Sequence, residues 1–214
     1  MERLHVLALP VNGPMSDQAA SLSTPWIFGY GSLMWRPGFA FQARRKAHLA
    51  GYERAFCRYS FRHRGTPDKP GLVIGLRKTG GDGAGTGSAG RGCVGIALQP
   101  EAASLPDALS YLDEREGAGY HRILQRITFL DGRTPHAGEA WVYVPNTQHP
   151  SYFGQHDPKT IVELILQGSG ESGTAYDYLV AMLQELHAMG AVEPELESIR
   201  RAVEAARSAQ ASVA

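Results

Sequence analysis

Between Thr79 and Gly92 the chain reads TGGDGAGTGSAGRG, a run of small residues with nothing to bury. No packed element can be built from such a segment, so it is expected to be a flexible hairpin tip or surface loop. It divides the ordered signals into two sets. Before it, bulky runs of strand type stand at Trp26-Ile27-Phe28, at 48–58 (HLAGYERAFCR) and at 71–76 (GLVIGL). After it, strand character resumes at Cys93 to Leu98, Leu124 to Leu130 and Glu139 to Val144, where Ala140, Val142 and Val144 alternate with Trp141 and Tyr143.

Helical spacing dominates the remainder. Leu105, Leu109 and Leu112 predict a helix over 104–115, with Pro106 tolerated in its first turn. Asp157-Pro158 opens KTIVELILQ, closed by Gly168. Thr174-x-x-Asp177 forms a capping box ahead of YLVAMLQELHAM, and Glu193-Pro194 starts a last helix running to about residue 208. Strands, one helix, more strands and terminal helices predict an α+β architecture rather than alternating βαβ units. The expected organisation is a flexible extension over 1–24, one domain over 25–208 that includes the 79–92 loop, and a tail over 209–214.

Composition excludes several classes of function. The 214 residues carry 21 Lys+Arg against 21 Asp+Glu, so no global field recruits nucleic acid or an anionic membrane. No apolar run approaches the length of a membrane helix. The N-terminal apolar patch is interrupted by Pro10 and Gly13 and lacks a basic flank, so it does not read as a signal peptide. Cys57 and Cys93 lie in strand-like apolar runs without metal or redox spacing, which makes them core residues and the cytoplasm the expected location. The eight histidines show no paired metal spacing, and no metal site is expected.

Chemistry concentrates at two places. Four residues beyond Leu112, the inward stripe of the first helix lands on Glu116, just where Gly117-Ala118-Gly119 ends the helix. Burial and the negative end of the helix both disfavour an ionised carboxylate, raise its pKa and suit a general acid–base group. The bland alternative has Glu116 fraying outward with Arg115 or Arg122 as partner. Asp113, Glu114 and Arg115 fall off the stripe and are expected on a solvated face. The second place is Phe28-Gly29-Tyr30-Gly31-Ser32-Leu33, whose glycines let backbone N–H groups converge on an anion; its alternative is a plain hairpin turn. A dinucleotide fingerprint is rejected: Met34 stands where its third glycine belongs, and Trp35-Arg36-Pro37-Gly38 interrupts the helix that should follow. The Arg58–Arg64 segment interleaves bases with aromatics and is expected to be a solvated loop or a ligand rim rather than a nucleic-acid surface.

These residues also carry a family resemblance. WIFGYGSLMW at 26–35, HRGTPDKPG at 63–71, YLDEREGAGY at 111–120 and YVPNTQHPSYFG at 143–154 resemble, in order, the motifs of the ChaC-type γ-glutamylcyclotransferases. The resemblance implies a small mixed β-barrel with flanking helices, the γ-glutamylcyclotransferase-like fold, and chemistry without metal or cofactor. It implies glutathione as the small-molecule substrate, Glu116 as the catalytic glutamate, and Ile27, Phe28, Gly29, Tyr30, Gly31, Ser32 and Leu33 as the substrate loop. Tyr120 and Tyr152 are further candidate contacts, although each of Tyr30, Tyr120 and Tyr152 also suits a core or strand aromatic. Two positions depart from the family pattern: Glu114 replaces an aromatic residue and adds negative charge near Glu116, and Ala118 interrupts a glycine pair. A cyclotransferase for other γ-glutamyl amines and a non-catalytic γ-glutamyl-binding module remain the competing readings. Oligomeric state is not legible.

Overall fold

The computed structural model describes residues 24–79, 92–132 and 136–212. The expected N-terminal extension, the core of the glycine-rich loop and the last tail residues lie outside the described residues. Five strands close a barrel: β1 (Trp26–Gly29), β5 (Gly92–Gln99), β2 (Ala43–Ala50), β6 (Tyr120–Phe129) and β7 (His136–Pro145), in that spatial order. All neighbouring pairs are antiparallel except the closing pair, where β1 runs parallel to β7 with Trp26 opposite Ala140 and Ile27 opposite Trp141. Closure removes the exposed edges that an open sheet of this size would present. The mixed barrel with helices around it agrees with the α+β expectation.

The run 48–58, expected as one strand, is two. Gly51 takes φ = +77° and turns the chain between β2, in the barrel, and β3 (Tyr52–Ser60), which pairs with β4 (Gly71–Lys78) in a separate ribbon. A positive φ costs glycine little and any other residue much more, so the internal glycine that weakens this strand run is the point at which it breaks. The ribbon has its own irregularity. Phe56 stands opposite Ile74, but the next pair is Arg58 with Val73, leaving Cys57 as the extra residue of a bulge.

Among the described residues the barrel and ribbon are accompanied by four α-helices: α1 (Leu105–Glu116), α2 (Pro158–Gln167), α3 (Ala175–Ala188) and α4 (Pro194–Ala211). Asp157 caps α2, accepting from the N–H groups of Lys159 and Thr160 at 3.0 and 3.1 Å. The Thr174/Asp177 capping box opens α3 as its sequence spacing predicts. The last helix runs three residues past the expected 208. A two-residue hairpin, β8 (Ser169–Gly170) with β9 (Gly173–Thr174), lies between α2 and α3. The main core joins the barrel interior to α2, α3 and α4 through residues such as Phe28, Ile96, Ile165, Leu179 and Val203. A smaller cluster, Ile27, Leu33, Ala108, Leu112 and Tyr143, fixes α1 against β1 and β7. No helix among the described residues is long and apolar enough to cross a membrane.

Candidate active site

The α1 stripe ends at a cavity. Ala108 and Leu112 are buried against Ile27 and Leu33, and one helical turn later Glu116 enters the lining of a cavity of about 750 Å³. Gly117, at φ = +59°, ends the helix there. The Glu116 side chain keeps only 18% of its exposure, and burial raises its pKa above the ordinary carboxylate value, opposed by the positive charges of Arg115 and Arg58. Its Oε1 lies 3.5 Å from Nε of Arg115. Glu114 is exposed and is not among the charges acting on Glu116, contrary to its expected influence.

Arg115 corrects the expectation of a solvated face. Its Nη1 donates to the carbonyl of Arg36 at 2.7 Å, and its Nη2 to Ser32 Oγ at 2.8 Å. It therefore ties the C-terminal end of α1, which carries Glu116, to the loop after β1. Asp113 accepts from Tyr143 Oη at 2.7 Å and pairs with Arg122 at 3.0 Å, bracing the same helix against β6 and β7. Neither partnership is visible from helix spacing, because both partners are remote in the sequence.

After β1 the chain makes a 3₁₀ turn, Ser32–Met34, rather than the long helix of a nucleotide site. The opening N–H groups of such a turn find no acceptor within it. A Cβ on Gly31 would lie 2.9 Å from Tyr178 Oη, so the turn approaches that buried tyrosine too closely for a side chain. Ser32 and Tyr120 line the cavity with Glu116. The other expected contacts divide differently. Side chains of Ile27, Phe28 and Leu33 are buried in the two apolar clusters, so only their backbone is left for a ligand. Gly29 packs against Leu33, and Tyr30 Oη donates to the Tyr143 carbonyl at 2.7 Å. Tyr152 is not in the lining: it follows the turn that carries Ser151 into the cavity and makes an isolated antiparallel bridge with Arg58.

The opposite wall comes from the β3–β4 ribbon and the loop that joins its strands. Because of the bulge, Arg58 rather than Cys57 stands opposite Val73 and faces the cavity. Residues 151–153 run alongside, with Tyr59 N donating to the Ser151 carbonyl at 2.8 Å. Ser151 Oγ in turn accepts from Arg58 Nη2 at 2.7 Å and is joined to His149 Nδ1 at 2.8 Å. The Arg58 guanidinium covers the Tyr120 ring 4.0 Å from its centroid. Gly119 has no room for a Cβ beside that guanidinium. Burial raises the Tyr120 phenol, and the charge of Glu116 adds to the effect.

Arg36, Arg58, Arg62, Arg64 and Arg115 all line this cavity, against a single lining carboxylate, Glu116. A chain of zero net charge thus concentrates cations at one concave site. The ligand-rim reading of 58–64 agrees with this placement. Helix spacing gave no sign that Tyr178 lines the cavity, and the motif at 143–154 contains His149 and Ser151 without singling them out. For Arg58, a charged residue inside the apolar strand AFCRYS was the available signal. Cys57 and Cys93 are buried and free, and burial pushes their thiols up to about 11 and about 12. Among the described residues, no three His, Cys, Asp or Glu side chains are grouped so as to hold a metal ion.

The family model described as ChaC-like protein matches residues 25–206. The chain is 34% identical over 182 residues to glutathione-specific gamma-glutamylcyclotransferase 1 of Rattus norvegicus, covering 83% of this chain and 78% of that one. It is 32% identical over 176 residues to the glutathione-specific gamma-glutamylcyclotransferase of Escherichia coli K12, covering 81% and 70%. The crystal structure of a yeast gamma-glutamyl cyclotransferase specific to glutathione superposes with a TM-score of 0.76 at 21% identity, over 86% of this chain and all of that one.

Proposed function

The chain belongs to the ChaC-like family, and from that premise we propose that it cleaves glutathione into 5-oxoproline and cysteinylglycine with Glu116 as the acid–base residue. The α-amine of the γ-glutamyl residue attacks its own γ-amide carbon. A C–N bond forms to close a five-membered lactam, and the bond to the cysteine nitrogen breaks. The nucleophile belongs to the substrate, so the protein has to hold a cyclisable conformer and move protons; well-oriented intramolecular reactions reach effective molarities of ~10⁵ M or more. Glu116 takes a proton from the α-ammonium and returns one to the departing amine of cysteinylglycine.

The observation that carries this reading is a buried, pKa-raised carboxyl at the end of an inward helical stripe, lining a cavity otherwise rich in arginine. A carboxyl held above its ordinary range is a better match to both proton transfers than one ionised throughout. The arginine excess suits a substrate that carries more carboxylate than ammonium. The turn at Gly29–Leu33 offers backbone N–H groups to the α-carboxylate or to the developing oxyanion, and Ser32 and Tyr120 complete the reacting end. A cytoplasmic location belongs to the same proposal, since both cysteines are free and reducing compartments keep thiols so.

The test is incubation with reduced glutathione, with 5-oxoproline and cysteinylglycine followed by mass spectrometry, for wild type and Glu116→Gln. Equimolar products are expected from wild type, and a rate lower by about 10²- to 10⁴-fold from the variant. Equal rates would remove Glu116 from its role. Turnover of γ-glutamyl-alanine but not glutathione would reassign the substrate. Thermal stabilisation by glutathione without any product would make the protein a binding module.

A further inference from the structure

The five cavity arginines are not equivalent. Arg115 is committed to Ser32, to backbone carbonyls and to Glu116. Arg62 pairs with Glu171. Arg58 spends Nε and Nη2 on Ser151 and stacks on Tyr120 at the reacting end, where its charge reaches Glu116. Arg64 differs from these three. It keeps 6% of its exposure, yet among the described residues no carboxylate lies within 4.0 Å of it. Its only side-chain hydrogen bond among those residues runs from Nη1 to the Thr174 carbonyl at 3.1 Å. The guanidinium stacks near the Tyr178 ring, 5.3 Å from its centroid, and lines the cavity. Five N–H donors with one protein acceptor leave most of the fork for something else. Asp177, a carboxylate whose charge acts on Arg64, is engaged as the capping partner of Thr174. Burial pulls the Arg64 pKa down, and the nearby charge of Arg36, which lines the same cavity, acts in the same direction.

The backbone that carries Arg64 is held on every side. Its N–H donates to Ser60 Oγ at 2.9 Å, and the turn of the β8–β9 hairpin holds its neighbours, Glu171 N and Ser172 N donating to the carbonyls of Arg62 and His63 at 2.9 Å each. The Arg64 carbonyl sits where a Cβ on Gly71 would be 1.8 Å away and one on Gly168 2.6 Å away, so only glycines permit this approach. An under-partnered cation with little exposure on a clamped backbone is a preorganised anion site: its position is already fixed, and a carboxylate supplies the missing partner.

We propose that Arg64 receives the C-terminal carboxylate of the substrate's leaving dipeptide and so makes the site specific for a γ-glutamyl peptide with an anionic distal end. This rests on the cyclotransferase reading above. The assignment to the distal rather than the α-carboxylate follows from position. Arg115 lies 3.5 Å from Glu116 and Arg58 stacks on Tyr120, whereas Arg64 does not come within 4.0 Å of the Glu116 carboxylate and stacks instead near Tyr178. The α-carboxylate must lie close to Glu116, only one carbon from the attacking amine, whereas the glycine carboxylate is separated from it by the whole cysteinyl residue.

The experiment compares glutathione with its C-terminal glycine amide on wild type, Arg64→Met and Arg64→Lys. A charge-assisted hydrogen bond lost at a buried site corresponds to about a 10- to 100-fold change in affinity. Wild type is expected to show a KM for the amide higher than for the acid by that factor, with kcat nearly equal. In Arg64→Met this amide-to-acid ratio collapses towards one, and Arg64→Lys restores part of it. A merely structural role would lower turnover of both peptides and leave the ratio intact, which overturns the proposal, as does a wild-type ratio of one. Should Arg64→Met fail to fold, Arg64→Lys against wild type decides: an amide-to-acid ratio unchanged in Arg64→Lys overturns the assignment to Arg64, and a reduced one supports it. If wild type turns over neither peptide, the cyclotransferase reading falls separately, and the acid-against-amide difference in equilibrium binding to wild type then judges the anion site.

Discussion

Arg54 and Arg64 are both more than nine-tenths buried, yet they sit in regions organised for opposite ends. At the junction of ribbon and barrel, Arg54 donates from Nε to the Tyr30 carbonyl at 2.6 Å, and its Nη groups reach the Glu193 carboxylate and the Val94 carbonyl. Its charge is neutralised and its fork is filled by the turn after β1, by β5 and by the residue before α4. Around the cavity, Arg64 has one carbonyl and no carboxylate among the described residues. A buried cation with a complete set of partners is part of the scaffold; one with an incomplete set is waiting for a ligand. Burial alone does not separate the two cases, but the inventory of donors and acceptors does.

That contrast is open to direct attack. The largest effect on stability is expected at the junction. Arg54→Met leaves Glu193 and two carbonyls without their partner, and should cost about 3–5 kcal/mol of unfolding free energy in urea titration. Arg64→Met removes an uncompensated charge and should stay within about 1 kcal/mol of wild type in the same titration. Equal losses from the two substitutions would erase the distinction.

A smaller effect sharpens the comparison with Glu116, the other strained charge of the cavity. Its folded pKa is raised, so its contribution to stability is fully present below its unfolded pKa and is lost as pH rises through the folded value. Glu116→Gln removes that loss. The variant's melting temperature should exceed that of wild type near pH 8, with the difference shrinking as pH falls towards 4. A variant less stable than wild type at pH 8 would mean that the pairing with Arg115 outweighs burial. The smallest effect concerns the thiols. With Cys57 and Cys93 buried and pushed up to about 11 and about 12, native protein at pH 7.4 should resist iodoacetamide and keep its activity, both cysteines reacting only after unfolding.

Much of the scaffold was legible in the chain because its signals are local. Period-two alternation marked β7, the Thr174/Asp177 spacing marked the start of α3, and the leucine stripe led to Glu116. The signals failed where a backbone conformation intervenes without changing the pattern. Gly51 divides the strand-like run 48–58 into strands of two different sheets, and the bulge at Cys57 exchanges which side chain faces the cavity. Arg115 was misread for another reason: helix spacing says which residues leave the apolar stripe, not what waits for them in space.

By itself, then, the sequence determined the order and type of the elements, the α+β class, the inward position of Glu116 and the kinship carried by four ordered motifs. These depend on residue periodicity and short-range chemistry, which the linear chain displays directly. Only the tertiary structure decided that five arginines from β3, α1 and two loops share one cavity in a chain of zero net charge. It also decided that Arg54 is satisfied while Arg64 is not. The partners of a buried guanidinium come from segments up to 139 residues away, and whether its donors are met is a property of the packed whole.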